Sequence, residues 1–179
     1  TINKAEGVDR AIVYVGGDGP GNYTSIQAAI DNVSDDDTVF VYSGTYYENV
    51  IINKTIDLAG EDKNTTIIDG GGTNTVVFVS SQGVNISDFT IRTSGRGYSG
   101  IDVSSSDNNI IRGNIIANNY RGIYINNSSS NTIMDNTITY NHYFGIIISD
   151  SSSNNKIYHN NFIKNTCQSY ADECNYWDN

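Results

Sequence analysis

The amino-acid sequence predicts an all-β chain wound as a parallel β-helix, a solenoid with coils of about 22–25 residues, and three observations carry that reading. A unit repeats: Ser99-Gly100-Ile101-Asp102-Val103-Ser104 aligns with Arg121-Gly122-Ile123-Tyr124-Ile125-Asn126 and Phe144-Gly145-Ile146-Ile147-Ile148-Ser149, with the glycines 22 and 23 residues apart. An asparagine returns at one place in each unit, at Asn114, Asn136 and Asn160. Short β-branched runs alternate with period two between Gly, Asn and Ser corners, leaving no room for a helix.

Each element then has a physical reason. A unit of three short strands cannot bury its apolar face alone, but stacked copies enclose a continuous Ile/Val core. Equivalent asparagines on successive coils would lie about 4.8 Å apart and bond to one another inside the bend. Glycine is expected where a corner needs unusual dihedrals, and the Ser runs near 104–106, 128–130 and 151–153 in solvated turns. On that basis Asn131, in such a turn, should matter far less than Asn136. Upstream the period loosens. Val84-Asn85-Ile86 and Phe89-Thr90-Ile91 still align, with Phe89 in the ladder position, and Val39 to Val41, Val50 to Ile52, Ile56 to Leu58, Ile67-Ile68 and Val76 to Val79 read as strands of longer coils.

At the front, Thr24-Ser25-Ile26-Gln27 reads as a capping box with Thr24 as N-cap. Ile26, Ala29, Ile30 and Val33 mark one apolar helical face, so a short N-terminal helix is expected as the lid of the solenoid. The chain thus divides into an extension (1–10) and one β-helix domain (11–179). Within the domain lie a cap strand and helix (11–34), irregular coils (38–98), regular coils (99–166) and a C-terminal loop (167–179) closed by a Cys167–Cys174 disulfide.

Composition sets the partners. Ten Lys and Arg against 20 Asp and Glu give a net charge of −10, and no basic run exists, so nucleic acid is excluded as a partner. No apolar stretch approaches the roughly 20 residues of a membrane span, and no signal segment opens the chain. Two cysteines in an acidic, Asn- and Tyr-rich chain fit an oxidising exterior, so an extracellular or cell-surface location in mature form is expected.

The run from Tyr23 to Asp31, then Asp37-Thr38-Val39-Phe40-Val41-Tyr42-Ser43-Gly44-Thr45-Tyr46-Tyr47-Glu48-Asn49-Val50, Ile56 to Glu61, Thr65 to Gly71 and the closing Asn175-Tyr176-Trp177-Asp178 resemble a known family. The chain looks like the NosD-like branch of the pectin-lyase-like superfamily, right-handed parallel β-helices abundant in archaeal surface and secreted proteins. The matching residues belong to the scaffold. No catalytic motif of the superfamily's lyases, polygalacturonases or epimerases stands here, so no catalytic residue carries over.

The residues themselves offer few chemical groups. Glycoside hydrolysis needs two facing carboxyls, and elimination needs a base beside a carboxylate-held calcium. The strand-borne acids are Asp57, Asp69, Asp88 and Asp102, with Asp57 and Asp102 outward by alternation. Arg92, Arg96, Arg112 and Arg121 read as solvated strand-end charges, and Asp35-Asp36-Asp37 as a solvated turn. His142, His159 and Met134 do not make a copper set, so neither metal nor cofactor is expected. The tyrosines are more telling: Tyr98, Tyr120, Tyr124 and Tyr143, with Asp102 and Arg121, are the candidate surface for a carbohydrate or protein partner. Sequons at Asn22, Asn32, Asn53, Asn64, Asn85, Asn126 and Asn127 are N-glycosylation candidates where exposed. Three functions fit, in this order: a non-catalytic surface-layer or filament subunit, a carbohydrate-binding module, and a polysaccharide enzyme. The expected partner is a second copy, through docking of residues 1–17 on an uncovered last coil, or an extracellular polysaccharide.

Overall fold

The computed structural model describes residues 10–149, 151–171 and 174–177, so most of the expected extension lies outside the described residues. The chain is a right-handed parallel β-solenoid of about 7 turns with one short helix near the N-terminus. Its first sheet holds eight strands: Ile12–Val15, Thr38–Val41, Asp57–Gly60, Asn85–Ser87, Ile110–Arg112, Thr132–Met134, Lys156–Tyr158 and Tyr176–Trp177. The second holds six: Gly44–Tyr47, Thr66–Asp69, Thr90–Arg92, Ile115–Ala117, Thr137–Thr139 and Asn161–Ile163. The third also holds six: Val50–Ile52, Val77–Val79, Ser99–Ser104, Arg121–Asn126, Phe144–Ser149 and Cys167–Ala171. Every neighbouring pair is parallel, and one coil takes a strand from each sheet in turn.

Alternation decides what is buried. Ile101, Ile123 and Ile146 are paired in register and fully buried, as are Ile116 with Ile138, and they join the single core that runs through the coils. The glycine column has a different cause from the one expected. None of Gly100, Gly122 and Gly145 takes a left-handed conformation; a Cβ at Gly122 would collide with the carbonyl of Gly145, and one at Gly145 with the carbonyl of Gln168. Close approach between coils, and not an unusual dihedral, demands glycine there.

The expected ladder exists: Asn114 Nδ2 donates to Asn136 Oδ1 (3.2 Å) and Asn136 Nδ2 to Asn160 Oδ1 (3.0 Å), while Phe89 N donates to Asn114 Oδ1. It is one of three. Asn109, Asn131, Asn155 and Asn175 ladder the corner between third and first sheets, and Asn119, Asn141 and Asn165 the corner between second and third. Asn131 is therefore not in a solvated turn: it is wholly buried and donates to Asn155 Oδ1 at 2.9 Å. The serine runs are corrected likewise, because Ser106, Ser128 and Ser152 are buried and each hydroxyl of the later two accepts the backbone N–H of the serine one coil earlier.

The lid helix spans Ile26–Asn32 and buries Ile26, Ala29 and Ile30 over the open core. Its N-cap is Ser25, whose hydroxyl accepts from Ala28 N, and not Thr24. Glu48, from the coil below, does most of the capping, accepting from Ser25 Oγ, Ile26 N and Gln27 N at 2.9–3.0 Å. Lys54 Nζ donates to the carbonyls of Ile30, Asp31 and Val33 at the other pole, so a carboxylate faces the positive end of the helix dipole and an ammonium the negative end. Gln27, released from the capping box, bonds both backbone groups of Ile51 and seals the edge of Val50–Ile52. Asp37 is buried and accepts from Ala11 N and Ser34 N, so the acidic turn is only partly solvated.

At the other end the disulfide is absent: Cys167 and Cys174 are free and exposed. Cys167 opens a strand beside Phe144–Ser149, which carries the chain on the order of 13 Å away by Ala171, while Cys174 O accepts from Asn154 N at the next corner. The strand Cys167–Ala171, in place of the start of a tight loop, leads the chain away from the first thiol.

Candidate functional site

The third sheet carries an outer column in the order Ile51, Phe78, Asp102, Tyr124, Ile147 and Tyr170, one residue from each coil and all in register, with Ile147 covered by its neighbours. Beside it, at the corner leading into the sheet, Tyr98, Tyr120 and Tyr143 occupy successive coils: Arg121 N donates to Tyr98 O and Tyr143 N to Tyr120 O. All six residues picked out as partner-facing, namely Tyr98, Asp102, Tyr120, Arg121, Tyr124 and Tyr143, therefore lie along one face. Asp57 lies on the first sheet, and Asp69 is buried in an ion pair with Arg92 (2.7 Å), so neither joins Asp102 in an acid pair.

Ring geometry organises this face. Tyr120 and Tyr143 stack with centroids 5.6 Å apart, Phe144 meets Tyr143 edge-on at 4.5 Å, and Tyr170 follows Phe144 at 6.1 Å. Arg121 is not a solvated strand-end charge: its guanidinium sits over the Tyr124 ring (5.2 Å) and the Tyr120 ring (5.8 Å). Arg92, held by Asp69, departs from that expectation too.

Two clefts open along the face. The first, of about 320 Å³, is lined by Asn49, Val50, Ile51, Asn74, Thr75, Phe78, Tyr98 and Asp102. Burial pushes the Asp102 carboxyl above its ordinary value, against the opposing pull of the Ser104 hydroxyl (2.6 Å to Oδ1) and the Arg121 charge. The second, of about 450 Å³, is lined by Thr93, Ser94, Arg96, Asn118, Tyr120 and His142. Sequence reasoning did not assign Phe78, Asn74, Arg96 or His142 to a partner surface, although alternation in Val77-Phe78-Val79 already turns Phe78 outward.

Residues 72–179 match the family model of the periplasmic copper-binding protein NosD. The chain belongs to the NosD family. Among solved structures it is similar to pectin methylesterase PemA from Erwinia chrysanthemi (14% identity, TM-score 0.66, 87% of this chain and 56% of that one). It is also similar to pectin methylesterase from carrot (16%, 0.67, 88% and 55%) and to alginate lyase from a Paenibacillus species (16%, 0.68, 86% and 58%). At these identities the likeness is one of fold, and the chain spans little more than half the length of each. A search of curated proteins finds no match.

The family's description raises copper, and the described residues of this chain do not fit it. Copper sites gather several imidazole, thiolate or thioether ligands. Among the described residues no three of His, Cys, Asp and Glu converge. His142 lies in the second cleft, between second and third sheets, whereas His159 lies 3.8 Å from Asp135 between first and second; Met134 Sδ accepts from the Tyr158 hydroxyl.

Of the glycosylation candidates, Asn32, Asn53, Asn64 and Asn127 are exposed. Asn22 is half-buried and donates to Gly16 O, and Asn85 and Asn126 are half-buried with enclosed side-chain oxygens.

Proposed function

We propose that this member of the NosD family is a non-catalytic extracellular module that binds a carbohydrate along the outer face of its third sheet. The observation that carries the reading is the gathering of Tyr98, Tyr120, Tyr124, Tyr143, Asp102 and Arg121, with Phe78, beside two clefts on one face. Flat rings offer apolar area for the C–H faces of sugars, and the amides, hydroxyls and carboxyl between them offer hydrogen bonds at fixed spacing. Among the described residues a single carboxyl, Asp102, lines the two clefts, which supports binding over hydrolysis. Calorimetric titration with a panel of neutral and acidic oligosaccharides tests this, and Tyr120→Ala with Tyr143→Ala should weaken binding at least tenfold. No heat from any glycan at millimolar concentration would remove the reading, and reducing or unsaturated ends released from a polysaccharide would replace it with catalysis.

A second reading, self-assembly, is favoured by the C-terminal end. The last strands of the three sheets leave Ile163, Tyr170, Tyr176 and Trp177 exposed, with an apolar hollow of about 350 Å³ between Lys156, Ile157, Tyr158, Tyr176 and Trp177. The N-terminal strand Ile12–Val15 pairs with Thr38–Val41 on one side, and Tyr23 bonds Tyr14 O and Gly16 N on the other. Packing of one copy's open end on a neighbour remains available to the fold. Light scattering at high concentration tests it: a strictly monomeric mass removes it.

A further inference from the structure

We propose that the cleft around Phe78, Tyr98 and Asp102 takes an uncharged sugar unit, with Asp102 accepting a sugar hydroxyl, and disfavours a sugar bearing a carboxylate or sulfate. This rests on the carbohydrate-binding reading and gives that face a ligand class.

The floor of the cleft is apolar: Val50 is buried beneath it, and Ile51 and Phe78 face outward in register. The walls divide into groups that are already engaged and groups that are not. Asn49 is locked, its Nδ2 donating to Thr75 O (3.0 Å) and its Oδ1 accepting from Thr73 Oγ1 (2.9 Å). Among the described residues the Tyr98 hydroxyl, the Asn74 carboxamide and Asp102 Oδ2 make no hydrogen bond, while Asp102 Oδ1 is held by Ser104. A positioned acceptor, a free amide and a free phenol around an apolar floor match a sugar ring, which has an apolar face and a rim of hydroxyls.

Charge decides between sugar classes. Among the described residues Asp102 is the only carboxylate that lines the cleft, and no Lys, Arg or His lines it. Arg121, whose charge already acts on Asp102, sits over the faces of Tyr120 and Tyr124 and does not line the cleft. An acidic sugar would set a second negative charge beside a half-desolvated carboxylate in a cleft lined by no cation, whereas a hydroxyl gives that carboxylate a charge-assisted hydrogen bond. Arg96, with His142, lines the other cleft. The two clefts thus separate the two sugar chemistries in space.

The test titrates the protein at neutral pH with hexasaccharides of glucose, mannose and xylose and with hexagalacturonate, by calorimetry, on the native chain and on Asp102→Asn and Phe78→Ala. At least one neutral hexasaccharide should bind about tenfold or more tighter than hexagalacturonate, and Asp102→Asn should weaken it about tenfold. The same substitution should raise the melting temperature, so that lost affinity cannot be assigned to lost fold. Tighter binding of hexagalacturonate, or neutral-sugar affinity unmoved by both substitutions, overturns the inference and leaves carbohydrate binding intact. Silence from all four probes at millimolar concentration removes carbohydrate binding and the inference together.

Discussion

At the N-terminal end the lid helix is fastened at both poles, by Glu48 and by Lys54, and Gln27 fills the edge of the strand beneath it; at the C-terminal end the final strands stand with Tyr176 and Trp177 in solvent. The seven residues of the helix are too few to be stable alone, so the lid is held by side chains reaching up from the coil it covers. Closure of this solenoid is thus a property of two coils acting together. The open end has no such partner among the described residues, and what holds it is the ladder handed down from the coil before.

The largest effect should come from breaking that ladder between the two ends. Asn136→Leu strips an acceptor from both Asn114 N and Asn114 Nδ2 and a donor from Ile111 O, at a cost on the order of 4 kcal/mol. Asn131→Ser should cost about 2 kcal/mol in chemical denaturation, far above a surface change, because Asn131 carries the same duties. A loss under about 0.5 kcal/mol at Asn131 would show that the corner ladder contributes nothing beyond a turn.

Glu48→Ala comes next. It leaves two helix N–H groups and a hydroxyl without their acceptor and should cost about 2 kcal/mol, with Glu48→Gln recovering part. Hydrogen exchange should show the loss concentrated in residues 26–33.

Acid should blur the difference between the ends. The Asp37 carboxyl is held below its ordinary value by the backbone N–H of Ser34 and then of Ala11, outweighing its desolvation. A lowered folded value means that its stabilisation is present above the unfolded value near 3.8 and is lost as pH falls through the folded one. Amide protection around Ala11 and Ser34 should therefore drop below about pH 4, before that of the mid-solenoid ladders. Asp102 works with the opposite sign: its raised value makes its ionised form a burden, so stability attributable to it grows as pH falls toward that value, and Asp102→Asn should stabilise the chain at neutral pH.

The smallest effect belongs to the open end. Trp177→Ala, at an exposed edge residue, should move the melting temperature by less than about 2 °C. A shift several times larger at high protein concentration, absent at low, would mean that this end is covered by another copy.

Periodicity made the coils and the middle ladder legible, because Asn114, Asn136 and Asn160 each stand two residues before an apolar residue, Ile116, Ile138 or Phe162, and these align by eye. The outer ladders carry the same five-residue rhythm, Asn109-Asn114-Asn119 and then Asn131-Asn136-Asn141 and Asn155-Asn160-Asn165, but Ser and Asn strings beside them look like solvated turns. The outward face was legible where alternation is strict, at Asp102 and Tyr124. Arg121 was misread although the rings it sits over, Tyr120 and Tyr124, are one residue before it and three after it, because strict alternation along the strand would turn residues 121 and 124 to opposite faces. The grip of Glu48 on the lid was not legible at all, since a contact 22 residues away has no local pattern.

The five-residue rhythm has a consequence for how such a molecule can change its length. Each coil from Asn109 to Asn165 carries its own three corner asparagines, and each receives its bonds from the coil before and passes them to the coil after in the same form. Duplicating or dropping one whole coil rewires nothing, whereas inserting one residue within a strand turns its inner side chains outward. The coil is the smallest piece of gene that can be copied or lost while every surviving partner still finds its mate.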